Sequence, residues 1–467
     1  MTPESELSIF VTDLRTDEVP AAALKTARRV LLACAGTGIA GAGEEGIAPL
    51  HQLLQERGGA GEARTLVFGT GLPAHAAAQF NGTMCRALDF CDALAPGAHI
   101  GSSVVPAALA AAELAGGCSG SELLTALVVG CEVGARLNLT ESMYDGFDPT
   151  GIAVVFASTA AAARILQLPV KQTLNALGLA FNRCGGSFQS NIDGSLAVRV
   201  IQGWVAQTGV ECVQLAQSGI TGPGNFLSGG YGYAHLFGRG RLDPRDITAY
   251  LGSEWRMNDI TFKKYPSCGA TQGMTELTLQ LADEFELAPE RIAQIAVSLN
   301  PYCHRLVGNA FRMGDNPRVN AQFSAQYCIA NAIIRGASKL KHFTPGEVAD
   351  PAVQDFISRV SCKGDPALDA RGHSAVDVAI TTKAGDLHER KLDIAPGFPG
   401  NALSDEDHAA RFNDCMRYAE HPLPDENIGA FLRAVEELEA VPDARILVDY
   451  LIAPAASGKR CGISGVA

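Results

Sequence analysis

The sequence predicts a mainly α chain: a large all-helical domain plus a smaller α+β domain inserted before the C-terminal helices. Three observations carry that reading. Up to about residue 235, apolar residues recur at helical spacing, and an excess of Ala and Gly lets helices pack closely on several sides. Beyond Trp255 the pattern changes, and two stretches alternate as half-buried strands do. From Ser404 the helical pattern returns. The expected divisions are residues 1–256 for the first part of the helical domain, 257–400 for the α+β domain and 401–467 for the C-terminal part of the helical domain.

Residues 5–42 read as two amphipathic helices. Pro20 opens the second, which runs through Ala21–Ala35 and ends in the glycine-rich stretch Gly36 to Gly43. Another helix spans 46–57, and Leu66-Val67-Phe68 is a short apolar insert. Pro73 starts a helix of small residues, Ala74 to Leu88, which delivers a loop beginning at Asp89. Small apolar helices separated by Gly-rich turns fill 103–235. In the insert, Ile295, Val297 and Leu299 alternate with small residues, like a strand, and Val376–Thr382 with Leu387–Leu392 reads as a hairpin turning at Gly385-Asp386. Helices are expected near 270–284, 321–336 and 351–360, then at 404–418, 425–439 and 443–451. Neither an internal repeat nor a low-complexity segment occurs.

The totals exclude several function classes. Net charge is −13 with no basic cluster, which argues against nucleic acid as a partner. No apolar run is long enough for a membrane span, and the acidic start Met1-Thr2-Pro3-Glu4 lacks the basic opening of a signal peptide. The 13 cysteines are scattered, with no C-x-x-C pair, so reduced thiols and a cytoplasmic setting are expected, with no zinc or redox motif.

Chemistry concentrates in one stretch. Asp89 and Asp92 stand three residues apart, and His99 follows Asp89 by ten, with Pro96-Gly97 breaking the chain between them. Ser102 or Ser103 can cap the apolar segment Ala107–Gly116, and Pro106 is tolerated in a first helical turn. His99 should then lie just before a helix N-terminus, which favours a bound anion and a neutral imidazole. Carboxylates, an imidazole and an anion site together suit acid–base work on a small organic acid.

Several motifs in order give a family resemblance. Leu88-Asp89-Phe90-Cys91-Asp92 resembles an L-D-F-D-D signature, followed by His99 and Pro106. Gly146-Phe147-Asp148-Pro149-Thr150 resembles G-F-H-P-T, and Asp193-Gly194-Ser195 with Arg199, Gly203, Ala206 and Gly209 resembles a lysine-bearing segment. Thr221-Gly222-Pro223, Lys264-Tyr265-Pro266-Ser267-Cys268 (for K-x-Y-P-S-C), Phe323-Ser324-Ala325-Gln326-Tyr327 and Pro396-Gly397-Phe398-Pro399-Gly400-Asn401 before Arg411-Phe412 complete the set. The chain is similar to the MmgE/PrpD family of 2-methylcitrate dehydratases, cis-aconitate decarboxylases and iminodisuccinate epimerases. That resemblance implies a helical domain, an α+β lid near 257–400, a homodimer, a site between the two domains, and chemistry with no organic cofactor and generally no metal.

The departures redirect the expectation. The G-F-H-P-T histidine is Asp148, the lysine position is Val198, the histidine three residues later is Ile201, and the lid histidine is Gln272. The resemblance carries over Asp89, His99 and Tyr327 as catalytic residues, with Arg199 and Lys264 as carboxylate holders. A tricarboxylate in a cleft needs paired cations, so the loss of four basic positions points to a substrate less anionic than citrate. Asp92, Asp148 and Gln272 complete the expected binding set. Each residue also has a plainer role: Asp92 and Asp148 as caps, Tyr327 as core with a satisfied hydroxyl, and Arg199 as a partner of Asp193. The expected activity is a cofactor-independent lyase or isomerase moving a proton next to a carboxylate or carbonyl, dehydration ranking first on family habit. Epimerisation, decarboxylation or a catalytically reduced metabolite-binding homologue are the alternatives.

Overall fold

The computed structural model describes residues 1–454. The end of the expected C-terminal part, 455–467, lies outside the described residues. Two hydrophobic cores organise the chain. The first gathers residues from Leu7 to Phe262 and, after the insert, from Leu403 to Leu451. The second runs from Cys268 to Ile380. The protein is mainly helical, with its principal sheet confined to the second core.

The longer helices of the first core are α1 (Pro3–Asp13), α2 (Ala21–Gly41), α3 (Ile47–Arg57), α4 (Ala74–Arg86), α5 (Gly101–Leu114), α6 (Gly120–Leu137), α7 (Val155–Ile165), α8 (Val170–Phe181) and α9 (Ala197–Gln217). Local chemistry sets several of their ends. Ser119 and Glu122 form a reciprocal capping box at the start of α6. The expected stop of α2 at Gly36 does not occur. Its glycines stay helical because they face neighbouring helices: a Cβ on Gly41 would lie 2.3 Å from the Met84 carbonyl oxygen of α4. Gly41 therefore serves close approach, not a turn.

In the second core, α10 (Gln272–Glu284) and α11 (Ala325–Arg335) pack with strands β1 (Ile292–Leu299), β2 (Val360–Gly364), β3 (Val376–Thr382) and β4 (Leu387–Leu392). The sheet order is β2-β1-β3-β4, with β1 parallel to β2 and antiparallel to β3, and β3–β4 forming the expected hairpin. β3 alternates buried and half-buried residues along its length, which is what its V-x-V-x-I sequence requires. The expected helix at 351–360 stops at Ile357, and β2 follows it directly. Ser404 caps α12 (Asp405–Tyr418), which returns to pack on α2, and α13 (Asp425–Glu436) follows.

The chain passes between the cores twice. Thr261 and Phe262 of the first crossover pair antiparallel with Ala93 and Asp92, and the Phe262 amide also donates to Gly397 of the second. The loop after α4 thus pairs with the first crossover, which in turn is tied to the second. Among the described residues, no helix is long and apolar enough to cross a membrane, and the twelve cysteines are free thiols.

A methyl group on Gly41 would have to displace a backbone carbonyl. Gly41→Ala should cost about 1–3 kcal/mol despite the better helix propensity of alanine. Urea denaturation checks this; a gain in stability would contradict the α2–α4 approach.

Candidate active site

Helix α4 ends on Arg86, and a short turn places Asp89 in the left-handed region at φ +51°, which Asp tolerates better than most residues. That turn folds the Asp89 carboxylate back onto the Arg86 guanidinium, 2.5 Å from its Nη1. Lys263, from the first crossover, brings Nζ to 2.9 Å from the other carboxylate oxygen and donates to the Asp89 carbonyl at 2.8 Å. All three side chains are buried. Burial alone would raise the pKa of Asp89, but Arg86 and Lys263 outweigh it and hold the carboxyl well below the usual carboxylate range.

Further bonds fix the loop. Gln322 donates to the Leu88 carbonyl at 2.7 Å, and Arg411 of α12 donates to the Phe90 carbonyl at 2.7 Å while its guanidinium lies 4.7 Å above the Phe90 ring. Leu94 and Ala98 exchange backbone bonds around Pro96-Gly97. The chain then enters α5, whose first amides, Ile100 and Gly101, donate to the Asp92 carboxylate at 3.1 and 2.9 Å. Asp92, not Ser102 or Ser103, satisfies this helix start. A Cβ on residue 101 would meet Asp92 Oδ1 at 2.5 Å, so glycine is required there.

This arrangement sets the state of His99. Its Nδ1 lies 2.7 Å from the Asp92 carbonyl, which can only accept, so Nδ1 carries the hydrogen and Nε2 keeps its lone pair. Nε2 stands 3.9 Å from Asp89 Oδ1, beyond hydrogen-bond reach. Burial, then Arg86 and Lys263, push the imidazole pKa well below its ordinary 6.5. A neutral base thus sits beside two cations.

These groups line a cleft between the two cores that encloses about 770 Å³, its mouth included. Its walls are largely apolar, with Leu94, Phe188, Leu306, Phe323 and Phe398, and the polar groups Asn191, Tyr302 and His373 also face it. Burial pushes Tyr302 up to about 12, Cys303 to about 12 and Cys268 to about 11, so the hydroxyl and both thiols stay protonated. The lining holds two basic side chains, Arg86 and Lys263, against a single carboxylate, Asp89, an excess of one cation.

The structure brings Asp89 and His99 together here and places the other expected site residues elsewhere. Tyr327 is wholly buried in the second core and donates its hydroxyl to the His342 carbonyl. Asp148 caps the turn after it, accepting from the Thr150 and Gly151 amides at 2.8 and 3.2 Å. Arg199 donates to the Glu45 carbonyl at 2.7 Å and faces Glu44 at 3.7 Å, so neither the clamp role nor the Asp193 pair is made. Gln272 ties down the crossover, accepting from the Tyr265 amide and donating to the Tyr265 carbonyl. Lys264 turns away to Glu276 at 2.9 Å and Asp407 at 3.7 Å. Val198 and Ile201 do not line the cleft either.

Two central residues escaped the sequence reading. Arg86 could have been found as the basic residue in the last turn of the helix before Asp89. Lys263 could have been found by counting: the K-x-Y-P-S-C spacing starts at Lys263, with Lys264 as its variable position. Tyr302 and His373 come from distant segments and carry no local signal.

Comparison with known proteins agrees with the motifs. The family model for the MmgE/PrpD N-terminal domain matches residues 5–244, and that for the C-terminal domain matches 265–436. A cis-aconitate decarboxylase-like protein of Aspergillus oryzae is 28% identical, covering 87% of this chain and 89% of its own. The cis-aconitate decarboxylase of Mus musculus is 24% identical over 98% of this chain and 95% of its own, and that of Homo sapiens 24% over 82% and 80%.

The buried imidazoles predict acid sensitivity. His99 stays neutral well below 6.5, and burial lowers His342 to about 4 and His408 to about 3. The unfolded chain binds more protons throughout that interval, so stability falls as pH drops below 6.5. Each imidazole contributes a slope approaching about 1.4 kcal/mol per pH unit. Asp89 adds to the loss below its unfolded value of 3.8, as acid titrates its ion pairs. Urea midpoints measured from pH 7 to 5 should fall steadily, and His99→Gln should flatten the profile; a flat wild-type profile would contradict this.

Proposed function

The chain belongs to the MmgE/PrpD family, and on that premise we propose that it is a cofactor-independent lyase acting by proton transfer at the carbon next to the carboxylate of a small organic acid. The observation that carries this reading is the donation of His99 Nδ1 to the Asp92 carbonyl, which leaves Nε2 free beside Arg86 and Lys263.

The substrate carboxylate lies against Arg86 and Lys263. Its charge offsets the net positive charge of the cleft, which suits one carboxylate at this end and not the three of citrate. His99 Nε2 takes the proton from the adjacent carbon. Negative charge then spreads into the carboxylate, where the two cations stabilise it, in a cleft whose apolar walls limit water. Asp89 holds the cations together and orients them. Tyr302, which stays protonated, donates to the developing oxygen, the role expected of Tyr327. With water as the departing group, the electron pair left on the carbon forms a double bond as a β-hydroxyl leaves, taking up the proton that His99 removed. With carbon dioxide, the sense reverses: the pair of the breaking C–CO2 bond stays on the carbon, and His99 Nε2 delivers to it a proton gained from solvent. Two curated relatives are named cis-aconitate decarboxylase and a third decarboxylase-like, which favours loss of carbon dioxide over the dehydration that family habit ranks first.

Solvent-deuterium exchange into a panel of small acids tests the reading. Wild type should label the carbon beside the carboxylate of a member of the panel. His99→Gln should cut labelling by about 10²-fold or more, as loss of a general base does, while binding persists. Lys263→Met should lose both binding and exchange, whereas Lys264→Met should stay within about threefold of wild type, as expected for a partly exposed ion pair. Exchange that is unchanged in His99→Gln overturns the mechanism. A ligand that raises the melting temperature without exchange would mark a binding homologue instead.

A further inference from the structure

We propose that a second anion subsite lies just outside the catalytic cleft, built on Arg305 and Arg312, and that the substrate is an elongated acid with an anionic group at each end. This rests on the reading above for the inner end. A chamber enclosing about 940 Å³, its mouth included, adjoins the cleft and shares Phe188, Asn191, Leu306 and Phe323 with it. Its lining contains two arginines and no carboxylate. In a chain of net charge −13, such a surface is set apart from the prevailing field.

The two chambers are mechanically one. Arg305 stands on the short helix Pro301–Val307, which also supplies Tyr302 and Cys303 to the inner cleft. Its guanidinium lies 5.9 Å from the centroid of the Tyr302 ring. The segment bearing Arg312 is held where the Phe311 amide donates to Gln326 Oε1 at 2.8 Å. Among the described residues, neither arginine forms a salt bridge with a carboxylate. Between these cations and the Arg86–Lys263 pair lies a waist of Phe188, Leu306 and Phe323. A short chain of methylenes spans such a waist, burying its apolar surface while an anion meets cations at each end.

Calorimetric titration with linear dicarboxylates from succinate to suberate, with monocarboxylates of matched length, tests this. An ω-phosphorylated acid forms a third arm that separates a carboxylate from a phosphate terminus. Wild type should prefer dicarboxylates beyond a threshold length over their monocarboxylate counterparts, and added salt should narrow the gap. Arg305→Gln and Arg312→Gln, both at exposed positions, should each weaken long diacids by roughly three- to tenfold and leave monoacids unchanged. Equal binding of diacids and monoacids, or equal losses for both in the variants, overturns the outer subsite and leaves the inner reading intact. Long diacids that bind and respond to the arginine variants, where monoacids fail and Arg86→Gln has no effect, would keep the outer subsite and overturn the inner. Failure of every acid to bind overturns both.

Discussion

Everything about the cleft depends on two buried cations sharing one buried carboxylate. Arg86 arrives from the helical core, Lys263 from the crossover, and Asp89 bridges them. Without the bridge, two like charges would face each other out of water, at a cost of about 3–5 kcal/mol. With it, the cations leave one positive charge uncompensated and help keep His99 neutral. The same bridge ties the position of the crossover to the turn after α4. Its geometry depends in turn on the left-handed backbone at Asp89 and the close α2–α4 packing at Gly41.

This cluster changes the meaning of the missing basic residues. Val198, Ile201, Asp148 and Gln272 stand where the motifs lead one to expect lysine or histidine, yet none of the four lines the cleft. The positive charge comes from Arg86 and Lys263 instead. What has been lost is excess charge, in keeping with a ligand that presents a single anion to the inner end and places any further charge toward the outer arginines.

The fold was legible wherever one periodicity ran uninterrupted. β1 alternates from Ile295 to Leu299 and β3 along its whole length, and both are strands. β2, Val-Ser-Cys-Lys-Gly, lies at the sheet edge with only Val360 buried, so it offers no alternation to read. In the site, Asp89 and His99 stood out because Pro96 and Gly97 mark a loop between them. Tyr327, Arg199 and Gln272 could not be oriented from sequence, because a carbonyl, a glutamate and a crossover loop respectively decide where each points. The lysine choice failed by one position. On extended backbone, neighbours face opposite ways, so Lys263 meets Asp89 while Lys264 meets Glu276.

The return of α12 onto α2 has a consequence for how the protein is made. Asp405 pairs with Lys25 and Arg29, and Phe412 packs into the first core, so contacts that complete that core join positions nearly 400 residues apart. During synthesis, the early helices leave the ribosome long before their last partner. Translation at about 5–20 residues per second keeps the α2 surface waiting for some tens of seconds. The inserted region, with its own core, can settle in that interval, while the outer helices remain a client surface for chaperones until the final helices arrive.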